Sequence, residues 1–204
     1  MPAQPRLVAH RVYDPVLRLL HGTNALLILL LAASGLVADR LSPGAVTAWL
    51  HDWHGVLGGA LIVGLAGRLL WGLVGPRHAR WSDFWHPTEW RTLLARGHLF
   101  RAPERLGHHP VASLVYLALY GLLLGLAASG LLLLASMQVH GPFAARFGGD
   151  AALSALLTDP HTLAGWLVAA FVPAHLLMIV LHARLHRHPV AQSMLNGMQY
   201  LESK

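Results

Sequence analysis

Apolar residues along this chain are gathered into four long runs separated by more polar stretches. The runs cover about residues 16–38, 49–74, 111–135 and 160–185. A helix needs about 20 mostly apolar residues to cross the hydrocarbon core of a bilayer, and each run meets that length. The pattern therefore predicts an all-α integral membrane protein, folded as a four-helix bundle in a single transmembrane domain that takes up residues 1–204.

The composition supports the membrane prediction and limits the chemistry. The chain is 55% hydrophobic and only 12% charged, and its mean hydropathy is positive. A soluble domain carries about twice that share of charged residues. The chain has no cysteine, which excludes disulfides, thiolate-bound zinc, iron–sulfur clusters and covalently attached c-type haem. Any metal or cofactor must therefore be held by nitrogen, oxygen or thioether ligands.

Arginine and lysine are distributed unevenly between the polar stretches. Twelve lie at the N-terminal end, between the second and third runs or in the tail, whereas only Arg40 and Arg146 lie on the other side. Basic residues are retained in the cytoplasm, so we expect both termini and the loop 75–110 to be cytoplasmic. The formal charge of +6 is interpreted as this topology signal, with membrane lipid and no nucleic acid as the partner.

The polar stretches carry few other signals. The first fifteen residues lack an apolar core, so no cleavable signal peptide is expected. The cytoplasmic loop contains RWSDFWHPTEWRTLLARG, which resembles a segment lying among lipid headgroups, where tryptophan is enriched; a solvated loop with scattered aromatic residues is the alternative. The outer loop 136–159 is expected to be irregular and accessible to a partner.

Histidine is unusually frequent, with 15 residues, and four of them lie inside the runs. These are His21, His54, His161 and His175. An ionisable side chain in a spanning helix is costly and is a functional hypothesis by default. Chain direction places His21 and His175 toward the cytoplasmic side, and His54 and His161 toward the outer side. A hydrogen-bonded packing role explains a single such histidine, but it explains four at matched depths poorly.

The spacing of these residues adds a second argument. His161 and His175 are fourteen residues apart, which puts them on nearly the same helix face and roughly 21 Å apart along the axis. The same interval relates His54 to Arg68, so a guanidinium should lie at the inner depth, where it needs an anion. His51, one turn before His54, is the competing ligand, and the Arg68 interval favours His54.

Two neutral imidazoles on either side of a flat macrocycle give bis-histidine haem, whose saturated iron suits electron transfer. We therefore predict two non-covalent b-type haems, one bound by His21 and His175 and one by His54 and His161. Arg68 and Arg18 would provide partners for the haem propionates. The third run has no histidine and is interpreted as a closing wall of the bundle. Small residues near the ligands leave room for a porphyrin or, equally, serve helix packing; they are Gly22, Gly55, Gly58 and Gly59.

Several motifs, in their order and spacing, resemble the bacterial cytochrome b561 and Ni,Fe-hydrogenase b-type cytochrome family, to which some formate dehydrogenase membrane subunits are related. They are VYDPVLRLLH, HGVLG, RLLWGLVGPRHAR, LGHHP, HTLAGWLVAAFVPAH and HARLHRHPVAQSMLNG, and they extend over about residues 12–197. The resemblance implies four spanning helices and two b haems, with one ligand each on helices one and two and two on helix four, at the same four histidines. Two positions depart from the family pattern: Gly22 replaces a tryptophan that often follows the first ligand, which affects the haem edge, and HRHP replaces His-Arg-Glu-Asn at 186–189. The second departure puts an inherited role for the tail in doubt.

By the same resemblance, the protein is expected in the bacterial inner membrane, with the loop 136–159 in the periplasm. It would exchange electrons between the quinone pool and a periplasmic dehydrogenase, hydrogenase or c-type cytochrome. A quinone is expected near His182 or Arg184, although His182 also fits a residue that reaches from the helix end to the interface. Whether the chain is itself an enzyme is left open: one alternative is a superoxide:quinone oxidoreductase. Another is a histidine-lined metal-ion or proton translocator, for which the runs lack central carboxylates.

Overall fold

The computed structural model describes residues 7–85, 87–96, 110–186 and 190–202. Its elements, in chain order, are β1 (Leu7–Arg11), α1 (Pro15–Ala38), α2 (Ala45–Val74), two 3-10 turns (Arg77–Ala79 and Trp81–Phe84), α3 (Pro87–Arg96), α4 (Pro110–Gln138), α5 (Ala144–Phe147), α6 (Ala151–His186), α7 (Val190–Asn196) and β2 (Met198–Glu202).

Four of these helices, α1, α2, α4 and α6, are long and apolar enough to cross a membrane. Most of their apolar side chains are exposed on the surface of the isolated chain, as expected for helices whose outer faces contact lipid rather than water. The predicted fold class, an all-α membrane four-helix bundle, is confirmed. The side of the membrane on which each terminus lies stays a prediction.

Helix α6 begins at Ala151, well before the expected start near residue 160. Asp150 provides the reason, because its Oδ1 accepts a hydrogen bond from the Leu153 amide at 3.0 Å and caps the helix. The stretch expected to be irregular therefore contains α5 and the first turns of α6. An apolar run marks the part of a helix that can lie in lipid, and the helix itself continues beyond that part.

The described chain forms two compact units. Unit 1 comprises the described residues within Met1–Gly22, Ala66–Leu117 and His175–Lys204, and unit 2 comprises Thr23–Leu65 and Ala118–Ala174. The core of unit 1 is formed by Val12, Tyr13, Leu17 and Ala79, with Trp71 and Met194 packed against them. The core of unit 2 is formed by Leu61, Leu65, Leu123 and Val168. Each unit contains one of the two predicted histidine pairs.

In unit 1, the segment before α1 pairs with the segment after α7. Strands β1 and β2 are antiparallel, with Arg11 opposite Met198. The amides of Val12 and Tyr13 both donate to the Gly197 carbonyl, at 2.9 and 3.2 Å. Gly197 has a φ of 82°, a left-handed conformation that glycine adopts without steric cost.

Asp14 fixes the start of α1 and connects it to α2. Its Oδ1 accepts hydrogen bonds from the amides of Val16 and Leu17, at 3.0 and 3.1 Å, and its Oδ2 accepts one from the Trp71 indole at 3.3 Å. Pro15 occupies the first helical position, where its missing amide proton is not needed. The Asp-Pro pair therefore has a structural role within unit 1.

Replacing Asp14 by alanine is expected to lower the free energy of unfolding by about 0.5–2 kcal/mol, the usual effect of losing a helix N-cap. An asparagine at this position would keep an oxygen acceptor for the helix amides, so the Asp14→Asn variant should retain most of the stability. Unfolding of the detergent-purified protein by SDS, followed by circular dichroism, measures both. An equal loss in the two variants would show that the charge of Asp14, and not its capping bonds, stabilises the fold.

Candidate functional site

His54 and His161 face one another in unit 2. His54 lies on α2 and His161 on α6, and both side chains are partly buried. Their ring centres are 6.3 Å apart and the ring planes are inclined by 73°. The structure therefore brings together the two histidines that were expected at the outer depth, whereas the competing His51 is exposed. Their role as ligands stays a prediction.

Each of these imidazoles is held by a serine from a neighbouring helix. Ser34 Oγ on α1 lies 2.9 Å from His54 Nδ1, and Ser129 Oγ on α4 lies 2.8 Å from His161 Nδ1. With Nδ1 engaged in this way, Nε2 is the nitrogen that each ring offers to a metal. A second hydrogen bond of this kind sets the orientation and protonation of histidine ligands at metal sites generally.

A glycine follows each serine and lets the ring approach the helix. A Cβ atom on Gly35 would lie 3.3 Å from His54 Cε1, and one on Gly130 would lie 3.3 Å from His161 Cε1. Both distances are tighter than ordinary van der Waals contact. The two Ser-Gly pairs occur in the same pentapeptide, AASGL, at residues 32–36 and 127–131.

These contacts show that α4 contributes to the site, although the third apolar run was predicted only to form a closing wall of the bundle. Helix α4 contributes Ser129 and Gly130 to the surroundings of His161. The signal that could have indicated them is the occurrence of AASGL in two predicted spans. A serine in an apolar span does not by itself indicate a functional site, because it commonly bonds to its own helix.

His21 and His175 both belong to unit 1. His21 lies on α1 and His175 on α6. The His175 ring packs edge-on against Tyr116 of α4, with ring centres 6.3 Å apart. Both members of the second predicted pair therefore belong to unit 1, and their pairing as ligands stays a prediction.

Arg68 is a buried cation in unit 1, with only 4% of its surface exposed. Its guanidinium carbon lies 4.9 Å from the ring centre of Trp81, in the geometry of a cation–π contact. The Trp81 indole donates a hydrogen bond to the Leu69 carbonyl at 3.1 Å, which fixes the ring over Arg68. Gly72 leaves room for this indole, since a Cβ atom there would overlap it.

Arg18 lies on α1, one turn before His21, and is partly buried. Within the part of the chain that the structure describes, no acceptor reaches its buried Nε atom. A buried N–H group without an acceptor carries a desolvation penalty of about 1–3 kcal/mol. An anionic group bound beside His21 would remove that penalty, and the carboxylate of a haem propionate is such a group.

A second polar cluster in unit 1 surrounds Tyr13. Burial raises the pKa of the Tyr13 phenol above its usual value, and the nearby Tyr116 and Asp83 act in the same direction. The phenol therefore stays neutral at physiological pH. Asp83 is buried as well, with His78 Nδ1 at 3.4 Å from its Oδ1.

The two residues suggested for quinone binding lie near the end of α6. Arg184 is exposed. The side chain of His182 falls outside the described part of the chain, so its suggested role stays a prediction.

The spacing of the His54 and His161 rings matches ligation of one metal between them. A bond of about 2 Å from each imidazole nitrogen to the metal, with about 1 Å from nitrogen to ring centre, gives roughly 6 Å between ring centres. The observed separation is 6.3 Å. A Cβ atom on Gly58 or Gly59, one turn beyond His54, would meet nothing within 4 Å, so the α2 backbone is accessible there.

Known proteins resemble this chain over most of its length. The family model described as prokaryotic cytochrome b561 matches residues 12–197. A probable Ni/Fe-hydrogenase B-type cytochrome subunit of Azotobacter chroococcum is 26% identical over 91% of this chain and 86% of the relative. A probable Ni/Fe-hydrogenase 1 B-type cytochrome subunit of Escherichia coli K12 is 24% identical over 94% and 91%. The resemblance inferred from the sequence motifs is confirmed.

Proposed function

This chain belongs to the prokaryotic cytochrome b561 family, and we propose that it is a diheme cytochrome that transfers electrons between the quinone pool and a redox partner. Family membership and the four spanning helices make it a multi-pass membrane cytochrome of the b type that serves in electron transfer. The number of haems, the quinone and the partner are the proposal.

The observation that carries the proposal is the facing pair of imidazoles, each held through Nδ1 by a serine. His54 and His161 would hold one haem, and His21 and His175 the other. When bound, a haem with two histidine ligands supplies a reversible one-electron couple on a coordinatively saturated iron. The protein's contribution is to fix the direction of its imidazoles and to place positive charge nearby.

Arg18 and Arg68 provide that positive charge in unit 1. Both guanidinium groups have buried nitrogen atoms, and a nearby anion offsets the cost of burying a cation. We propose that the propionates of the haem at His21 and His175 neutralise them. Charge compensation of this kind also affects the reduction potential, because it changes how easily the site accepts an electron.

The distribution of basic residues supports a bacterial inner-membrane location with cytoplasmic termini. His54 and His161 would then lie toward the periplasm, and His21 and His175 toward the cytoplasm. Relatives named as hydrogenase cytochrome subunits support a partner of that type, with a periplasmic dehydrogenase or c-type cytochrome as the other candidates. The quinone is proposed to bind on the cytoplasmic side, near Arg184 or His182.

A pyridine haemochrome assay on the purified chain, with protein quantified by amino-acid analysis, tests the proposal. Two b haems per chain are expected, and both should be reduced when a quinol is added. One haem per chain would contradict the diheme assignment, and a colourless preparation would favour a histidine-lined translocator. Reduction of quinone by superoxide without any partner protein would instead identify a superoxide:quinone oxidoreductase.

A further inference from the structure

We propose that Ser34 and Ser129 are positioning residues that fix the tautomer of His54 and His161, so that each Nε2 presents its lone pair to iron. The inference rests on the proposed function for the identity of the metal group. It adds two residues from α1 and α4 to a site whose ligands come from α2 and α6. All four spanning helices then contribute to one site within unit 2.

The hydrogen bonds of Ser34 determine where the imidazole proton lies. Its Oγ atom is 3.1 Å from the Leu31 carbonyl oxygen and 2.9 Å from His54 Nδ1. A hydroxyl has one proton to donate, and a carbonyl oxygen can only accept. When Ser34 donates to Leu31, its oxygen lone pair faces the ring, so Nδ1 must carry the ring proton. Nε2 of His54 is then unprotonated.

Ser129 repeats this arrangement at the other ligand. Its Oγ atom lies 2.8 Å from the Gly125 carbonyl, 3.3 Å from the Leu126 carbonyl and 2.8 Å from His161 Nδ1. Serine in a helix readily donates to a carbonyl one turn back, so the hydroxyl proton is again directed away from the ring. The same proton placement follows, and Nε2 of His161 is left to bind a metal.

Two independent features indicate that these contacts serve the site. The serines lie in identical AASGL pentapeptides on different helices, and in both the following glycine gives the imidazole its space. A serine present only for packing would need neither the adjacent glycine nor an imidazole nitrogen within hydrogen-bond distance. Each Ser-Gly pair therefore forms the same local arrangement, once beside His54 and once beside His161.

The arrangement has two consequences for a bound haem. It holds both rings in the ligating tautomer before the haem arrives, which favours binding. It also makes each ligand more basic, because Nδ1–H donates to an oxygen acceptor. A more basic ligand favours ferric over ferrous iron, so the serines should lower the reduction potential of this haem.

The tautomer can be read in the absence of haem. The full-length chain is prepared from haem-deficient cells with isotope-labelled histidine, and the signals are assigned with the His54→Gln and His161→Gln variants. Nitrogen and Cδ2 chemical shifts should show the Nδ1–H form at both positions. Ser34→Ala should weaken that preference at His54 only, where the Leu31 carbonyl also bonds to the ring, and Ser129→Ala should weaken it at His161 only.

The loaded protein provides a second readout. Either alanine variant should weaken retention of the haem at His54 and His161 by about 10- to 100-fold, the usual effect of removing such a support. It should also shift the potential of this haem upward while leaving the other haem unchanged. Ser34→Thr and Ser129→Thr keep the hydroxyl and should restore both values.

Ser136→Ala is the matched control. Ser136 is a buried serine on α4 whose Oγ also bonds to its own helix, at 3.4 Å from the Leu133 carbonyl. Unchanged tautomers and potentials in the Ser34 and Ser129 alanine variants, or an equal shift in Ser136→Ala, would overturn the proposal. A wild-type chain that binds no haem would refute the proposed function, yet the apoprotein spectra would still decide the role of the serines.

Discussion

Replacing His161 by alanine is expected to remove one of the two proposed haems and to leave the other bound. His161 faces His54 at 6.3 Å within unit 2, whereas His21 and His175 belong to unit 1. A haem held at this site would keep only His54 as a protein ligand, so its binding would weaken at that site alone. The pyridine haemochrome value should fall from two haems per chain to about one, with one low-spin signal remaining in the electron paramagnetic resonance spectrum.

His175→Ala provides the reciprocal test on the same helix, because it should remove the other haem and retain the one at His54 and His161. The remaining haem in the two variants should therefore differ in potential and in spectrum. His140→Ala is the control for histidine removal, since His140 is exposed and its ring bonds to the nearby Gln138 carbonyl. Loss of the same haem in both α6 variants would overturn the pairing, and loss of a haem in His51→Ala would reassign the ligand on α2.

The four spans and the four histidines could be predicted from the sequence for one physical reason. Lipid offers no hydrogen bonds, so a spanning helix excludes polar residues unless they have a function. The few that remain, such as His54 and Arg68, stand out against an apolar background. Depth then follows from chain direction, which predicted that His54 and His161 would lie together, as their ring centres do at 6.3 Å.

The two serines could not be predicted in this way, because a serine in a spanning helix costs little free energy. Ser34 and Ser129 satisfy their hydroxyl protons on carbonyls of their own helices, so hydropathy does not distinguish them from packing residues. Their second contact, to an imidazole on another helix, depends on the rotation of two helices about their axes. A single sequence does not provide that rotation.

The aromatic loop between α2 and α4 was interpreted from composition alone as a segment among lipid headgroups. Within unit 1, Trp81 packs over Arg68 and Phe84 is buried, whereas Trp85 is exposed. At least two of these aromatic side chains therefore stabilise the protein's own fold. Composition indicates that a segment has apolar surface to cover, but the partner that covers it depends on how the chain turns back after α2.

Replacing Gly72 by valine is expected to destabilise unit 1 and to weaken binding of the haem at His21 and His175. A side chain at this position would overlap the Trp81 indole, which is fixed by its hydrogen bond to the Leu69 carbonyl. The indole would have to move, and Arg68 would lose its cation–π contact. Overpacking of this kind lowers the free energy of unfolding by about 1–3 kcal/mol.

Unfolding by SDS and the haem content of the folded fraction measure the two effects. The matched control is Gly121→Val on α4, where a Cβ atom would meet nothing within 4 Å, and its stability should change by less than about 0.5 kcal/mol. Combining Gly72→Val with Trp81→Ala removes the overlap, so the double variant should be more stable than the sum of the single effects implies. Strictly additive changes in the free energy of unfolding would show that the valine does not displace the indole. An equal loss of stability in Gly121→Val would show that these helices tolerate valine poorly at any glycine position.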